Sequence, residues 1–145
     1  MLLDPTATIA ELRSSLDGVR LGLTAHAEAE DIVLGRFEIL PELMVLVAQA
    51  RAAHLAQEGA LTALVTARPG TNTWRDRAHH LRELVHCHAQ QEEKYLLPAL
   101  WQYAGREDLE NLAGAFATER LRQLAMLQPS APVFMPFVLA EKRAS

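Results

Sequence analysis

From Ile9 the apolar residues recur at alternating steps of three and four: Ile9, Leu12, Leu16, Val19, Leu23, then His26 and Glu30, then Val33, Phe37 and Leu40. That spacing is the helical period, and it predicts one amphipathic helix near residues 6–40. Asp4 stands where an N-cap is expected, with Pro5 in the first turn and Pro41 at the far end. Gly18 and Gly22 each weaken the helix by about 1 kcal/mol relative to alanine. The stripe crosses both glycines in register, so the helix is expected to continue. A second stripe of Leu43, Val47, Ala50, His54, Gln57/Glu58, Leu61 and Leu64/Val65 predicts a helix over 42–67. The turn residues Arg68-Pro69-Gly70-Thr71-Asn72 come next. Thr73 is then placed to cap a third helix, 74–104, with Trp74, Ala78, Leu81, Val85, His88, Glu92, Tyr95 and Ala99 on one side. A fourth helix, 107–127, carries Leu109, Leu112, Phe116, Glu119, Gln123 and Met126.

Nothing in the chain alternates with the period of a strand. The expected fold is all-α, an up-down antiparallel four-helix bundle over residues 1–128. The remainder, 129–145, is apolar but broken by Pro129, Pro132 and Pro136. It is expected to form an extended Pro-rich tail packed on a surface of this protomer or of a partner copy, which leaves a homodimer open.

Polar residues interrupt the stripes in a repeated way. A histidine is followed by a glutamate four residues later at His26–Glu30, His54–Glu58 and His88–Glu92. Residues i and i+4 share a helix face, so each pair presents an imidazole and a carboxylate together. His26 and Glu30 take seam positions that leucine or valine fills elsewhere in the same helix, and buried charges are normally paired or metal-bound. Counted from the connections at about 1.5 Å per residue, the three pairs lie at one depth of an antiparallel bundle. His26, Glu30, His54, Glu58, His88 and Glu92 are therefore the candidate metal ligands. Gln57 competes with Glu58 for the inward position. Glu119 is level with Glu92, either as a further ligand or paired with Arg120 or another cation. His80 and His86 are offset from the seam, and His79 is expected to be solvated. Cys87 is expected to be a buried thiol, and Tyr95 a core aromatic or a hydrogen-bond partner of a ligand carboxylate. Trp101 and Tyr103 read as packing or interface residues.

Composition narrows the function classes. The chain has 145 residues, half of them apolar, which suits one well-filled domain. A net charge of −4 gives nucleic acid and anionic membrane no electrostatic handle. No run approaches the ~18 apolar residues of a membrane span, and Met1-Leu2-Leu3 before Asp4-Pro5 does not make a signal sequence. One cysteine suits a reducing compartment, so a cytoplasmic location is expected. No nucleophile–base pair or triad arrangement stands out, so a binding or sensing protein is expected rather than a dedicated enzyme. Imidazole and carboxylate donors without thiolate suit iron, with zinc or manganese as alternatives.

The stretch His88-Ala-Gln-Gln-Glu92-Glu93-Lys-Tyr-Leu-Leu-Pro98-Ala-Leu100 resembles the H-x-x-x-E-E…P-x-L helix of the hemerythrin-like, or HHE cation-binding, family. His26-Ala-Glu-Ala-Glu30-Asp31 is similar to that family's internal repeat, and Ala53-His54 with Leu61 is similar to its connecting helix. The likeness covers about residues 10–128. It implies a non-haem di-iron protein with Glu30 and Glu92 bridging and His26, His54 and His88 terminal. Such a centre binds, senses or detoxifies a small diatomic or peroxide ligand: O2, peroxide or NO. The family's earlier helix with one more histidine has no counterpart ahead of Ile9. Either Glu58, Glu119 or water completes the set, or one metal binds, or the site is a relic. The other class of function left open is a helical interaction or regulatory module with a single structural metal or a degenerate site.

Overall fold

The first helix begins one residue after Thr8, because Thr8 and Glu11 satisfy each other's backbone. Thr8 Oγ1 accepts from the Glu11 amide at 3.3 Å, and the Glu11 carboxylate accepts from the Thr8 amide at 2.7 Å. This capping box starts α1 (Ile9–Gly35) and displaces the expected cap at Asp4. Asp4 instead holds a short turn, accepting from the Thr6 amide at 2.8 Å. A computed structural model describes residues 1–128. The tail expected over 129–145 lies outside the described residues.

α1 runs unbroken through Gly18 and Gly22 but stops at Gly35, short of the expected Leu40. Residues 36–40 form a turn that buries Phe37, and Leu40 takes an extended backbone (φ −89°, ψ 117°) before Pro41. Proline disfavours helical geometry in the residue before it and is itself suited to the first helical position, so Pro41 opens α2 (Pro41–Val65). Gly70, at φ +80°, makes the next reversal. Thr71, not Thr73, then caps α3 (Asn72–Gln91), its Oγ1 accepting from the Trp74 amide at 3.2 Å.

The third rod carries an irregularity that periodicity missed. Glu92–Leu96 is a π-helical turn, after which α4 (Leu97–Tyr103) continues. Pro98 cannot donate to the carbonyl four residues back and crowds it, so the turn ahead of it widens. The extra residue rotates the inner face. Leu96 and Leu100 are buried, whereas Tyr95, expected inside, lies exposed under the Lys94 ammonium. α5 (Arg106–Leu127) returns along α1, with Leu109 and Leu112 beside Leu34 and Phe116 beside His26.

These helices make the expected all-α bundle, and none among the described residues is long and apolar enough to cross a membrane. Its interior is two apolar clusters. One gathers Leu12, Leu16, Leu61, Leu64, Trp74 and Leu81; the other gathers Leu34, Phe37, Leu43, Val47, Leu96 and Leu100. Burying such side chains contributes about 1.5–3 kcal/mol each. The layer between the clusters is polar.

Candidate metal centre

His26 and Glu30 come from α1, His54 from α2 and His88 from α3. One ligand atom from each lies within 4.8 Å of every other. The depths expected from the connections therefore meet in one layer. Glu30, His54 and His88 are buried, while the His26 side chain is 38% exposed. His26 Nε2 sits 2.9 Å from Glu30 Oε2, and the Nε2 atoms of His54 and His88 sit 2.9 Å apart. Glu30 Oε1 points between those two imidazoles, 3.8 Å from His54 Nε2 and 3.9 Å from His88 Nε2. That oxygen is buried and has no hydrogen-bond partner. A buried carboxylate oxygen without a partner is costly, and a cation bound between it and the imidazoles would remove the cost.

Glu92, one turn beyond His88, brings its Oε1 to 3.3 Å from His88 Nε2 and faces the Glu30 carboxylate. The two carboxylates titrate apart. Burial together with the facing Glu30 carboxylate pushes Glu92 up to about 9. Burial also works against the Glu30 anion, but hydrogen bonds from His26 and Glu92 and the nearby imidazoles outweigh it and hold Glu30 near 2. Without an ion, then, the pair favours holding one proton, and the raised Glu92 is the carboxyl that favours it. Burial, followed by the neighbouring His54, lowers His88, which favours the neutral imidazole that metals require.

Asp31 is the functional residue that sequence reasoning passed over. Its Oδ1 lies 2.9 Å from His54 Nδ1. The contact assigns the proton to Nδ1 and turns the Nε2 lone pair toward the cluster, the usual support for a ligating histidine. The available signal was a carboxylate directly after Glu30, about 100° further round α1 and so toward α2.

Two expectations, for Glu58 and Cys87, fail here. Glu58 is exposed and joins a polar cleft between α1 and α2 with Glu28 and Asp31; Gln57 takes the buried position, its Nε2 unpartnered. Glu119 takes the other course open to it, pairing with a cation: Arg122 binds both of its carboxylate oxygens, at 2.7 and 3.1 Å. Cys87 is exposed rather than buried. His79, His80 and His86 are exposed, in keeping with their offset from the seam. α5 offers the layer a ring instead of a donor: Phe116 stands edge-on to His26 at 5.5 Å between centroids.

Beside the carboxylates lies an apolar pocket of about 280 Å³, walled by Val33, Leu96, Leu100, Leu112 and Phe116. Glu30 and Glu92 also line it, as does Trp101, which is 76% exposed. The centre can thus present a cation to a small uncharged molecule arriving through hydrocarbon. Comparison with protein-family models, with curated proteins and with solved structures finds no match to this chain. The resemblance to hemerythrin-like domains therefore rests on the motif residues themselves.

Proposed function

We propose that this protein is a non-haem metal-binding protein of hemerythrin-like type, holding iron through His26, His54, His88 and Glu30 with Glu92 as the fifth donor. The observation that carries this reading is Glu30 Oε1, buried and unpartnered among imidazole nitrogens. The donor set is nitrogen and carboxylate only, which suits iron, then manganese or zinc. Five side chains fall short of what two octahedral ions need, so one ion per chain is the better fit. An ion held by these residues would have room for an exogenous ligand, and the apolar pocket lined by Glu30 and Glu92 favours small neutral ones such as O2, NO or hydrogen peroxide. The protein's own part is to hold the ligands, exclude water and take the proton that Glu92 carries in the metal-free state.

Anaerobic titration of metal-free protein with Fe(II), followed by NO, tests the reading. One tight equivalent and new visible absorption bands on adding NO are expected. A tightly held ion whose spectrum ignores NO and peroxide would favour a structural ion in an interaction module. No binding at all would refute both.

A further inference from the structure

Two cavities share walls with the polar layer, and they differ in chemistry. One is the apolar pocket lined by Glu30 and Glu92. The other is the polar cleft between α1 and α2, about 290 Å³ in volume. His54 lines this cleft and is also one of the candidate ligands. Its Nδ1 meets Asp31, another lining residue, and its Nε2 meets His88 in the layer, at 2.9 Å each. A single imidazole thus stands between the cleft and the centre.

Three carboxylates line the cleft, Glu28 and Asp31 from α1 and Glu58 from α2, against one cation, Arg51. Arg51 is already engaged, pairing with Glu38 and donating to the Asp31 carbonyl at 3.3 Å. Glu38 does not line the cleft, so the lining carboxylates keep their negative field. Glu28 and Glu58 are exposed, and Asp31 is partly covered beside His54. Among the described residues, the ligand atoms gathered within 4.8 Å of one another are those of His26, Glu30, His54 and His88. The three cleft carboxylates are therefore too far apart to hold an ion of their own. They can attract one without trapping it.

Gln57 is an independent sign of what the cleft admits. Its side chain is 6% exposed and lines the cleft, and its Nε2 has no partner. An unmet buried donor is costly, and water carried in around a cation would meet it. The apolar pocket offers an ion the opposite. A divalent cation crossing it would give up its water shell to hydrocarbon, which is strongly unfavourable. A cleft lined by one sign of charge instead raises the arrival rate of the opposite charge, by about 10–1,000-fold.

We propose that the cleft between α1 and α2 is the entry site through which a hydrated divalent cation reaches the polar layer, with Glu28 and Glu58 drawing it in and Gln57 meeting its water. The inference rests on the metal-binding reading above, and it gives the ion and the neutral ligand separate approaches. An ion leaves by the way it came. A barrier raised at the entry therefore slows uptake and release alike and leaves Kd near wild type.

The test mixes metal-free, full-length protein with Co(II), whose visible bands report binding, in stopped flow at low salt, where screening is weak. Glu28→Lys/Glu58→Lys is expected to slow uptake about tenfold or more, and to slow release to chelator by the same factor. Glu83→Lys/Glu107→Lys makes the same change in net charge at exposed positions outside the cleft and should take up Co(II) at the wild-type rate. Ala113→Phe, which narrows the apolar pocket, should do so too. Wild-type uptake by the cleft variant would overturn the proposal, the ion then passing the apolar pocket or His26, whose side chain is 38% exposed. So would equal slowing in the distant charge variant, because net charge alone would then be the cause. Equilibrium titration of wild type with Co(II) separates this inference from the reading beneath it. No binding would overturn both, whereas binding at rates that ignore the cleft would overturn the entry site alone.

Discussion

Asp31 Oδ1 lies 2.9 Å from Nδ1 of His54, and this contact decides which face of the imidazole meets the polar layer. Losing a partner of this kind usually costs 10–100-fold in metal affinity. Asp31→Asn is expected to lower iron affinity within that range, because the amide can present its nitrogen to Nδ1 and release the tautomer. The melting temperature of the metal-free protein should stay close to wild type. Competition against a chelator of known affinity measures the first effect, and calorimetry without metal measures the second.

Glu92 sets a pH dependence whose sign is fixed by its raised pKa. Folded, it titrates near 9 against an ordinary value of 4.5. Its contribution to stability is therefore complete below about 4.5 and is lost as pH climbs toward 9. Glu30 acts oppositely: its lowered pKa gives stability that is present above 4.5 and lost as pH falls toward 2. In metal-free protein, Glu92→Gln should raise the melting temperature at pH 8 by several degrees and leave it nearly unchanged at pH 4.5. At pH 7, iron binding by wild type should release about one more proton than binding by the variant. Calorimetric titrations in buffers of different ionisation enthalpy count those protons.

Metal bound only to the native state adds about 2.7 kcal/mol at a hundredfold excess over Kd. For a domain of this size that is a rise of several degrees in melting temperature. Chelator should reverse it in wild type and in His79→Ala, whose site is an exposed helix position. His88→Ala should melt identically with and without chelator. Glu58→Gln should behave as wild type, because that carboxylate is exposed and stands outside the cluster of His26, Glu30, His54 and His88.

Helix positions, the antiparallel order and the level of the polar layer were legible because burial follows a strict 3-4 step in α1, α2 and the first part of α3. Where local geometry broke the step, the reading broke too. The π turn after Gln91 adds a residue that no hydropathy period registers, so Leu96 and Leu100 replace Tyr95 and Ala99 as the more deeply buried positions. The choice between Gln57 and Glu58 was equally hidden. Both sit within about 60° of His54 on a helix of 3.6 residues per turn, and only the placement of the neighbouring helices decides between them. Asp31 escaped because its partner, His54, is 23 residues away in sequence.

The buried Gln57 amide has its own consequence. Its Nε2 has no partner, and an unmet buried donor costs about 1–3 kcal/mol. Gln57→Leu is expected to raise stability to denaturant by about 1 kcal/mol without changing iron affinity. A loss of affinity would instead assign Gln57 a part in the centre.

The most direct measurement is an anomalous-difference map from crystals of the protein loaded with zinc or iron. A single peak is expected in the polar layer, about 2.0–2.2 Å from ring nitrogens of His26, His54 and His88 and from a Glu30 oxygen. A map with no peak among these four side chains, or with the ion held elsewhere on the chain, would contradict the assignment of the centre.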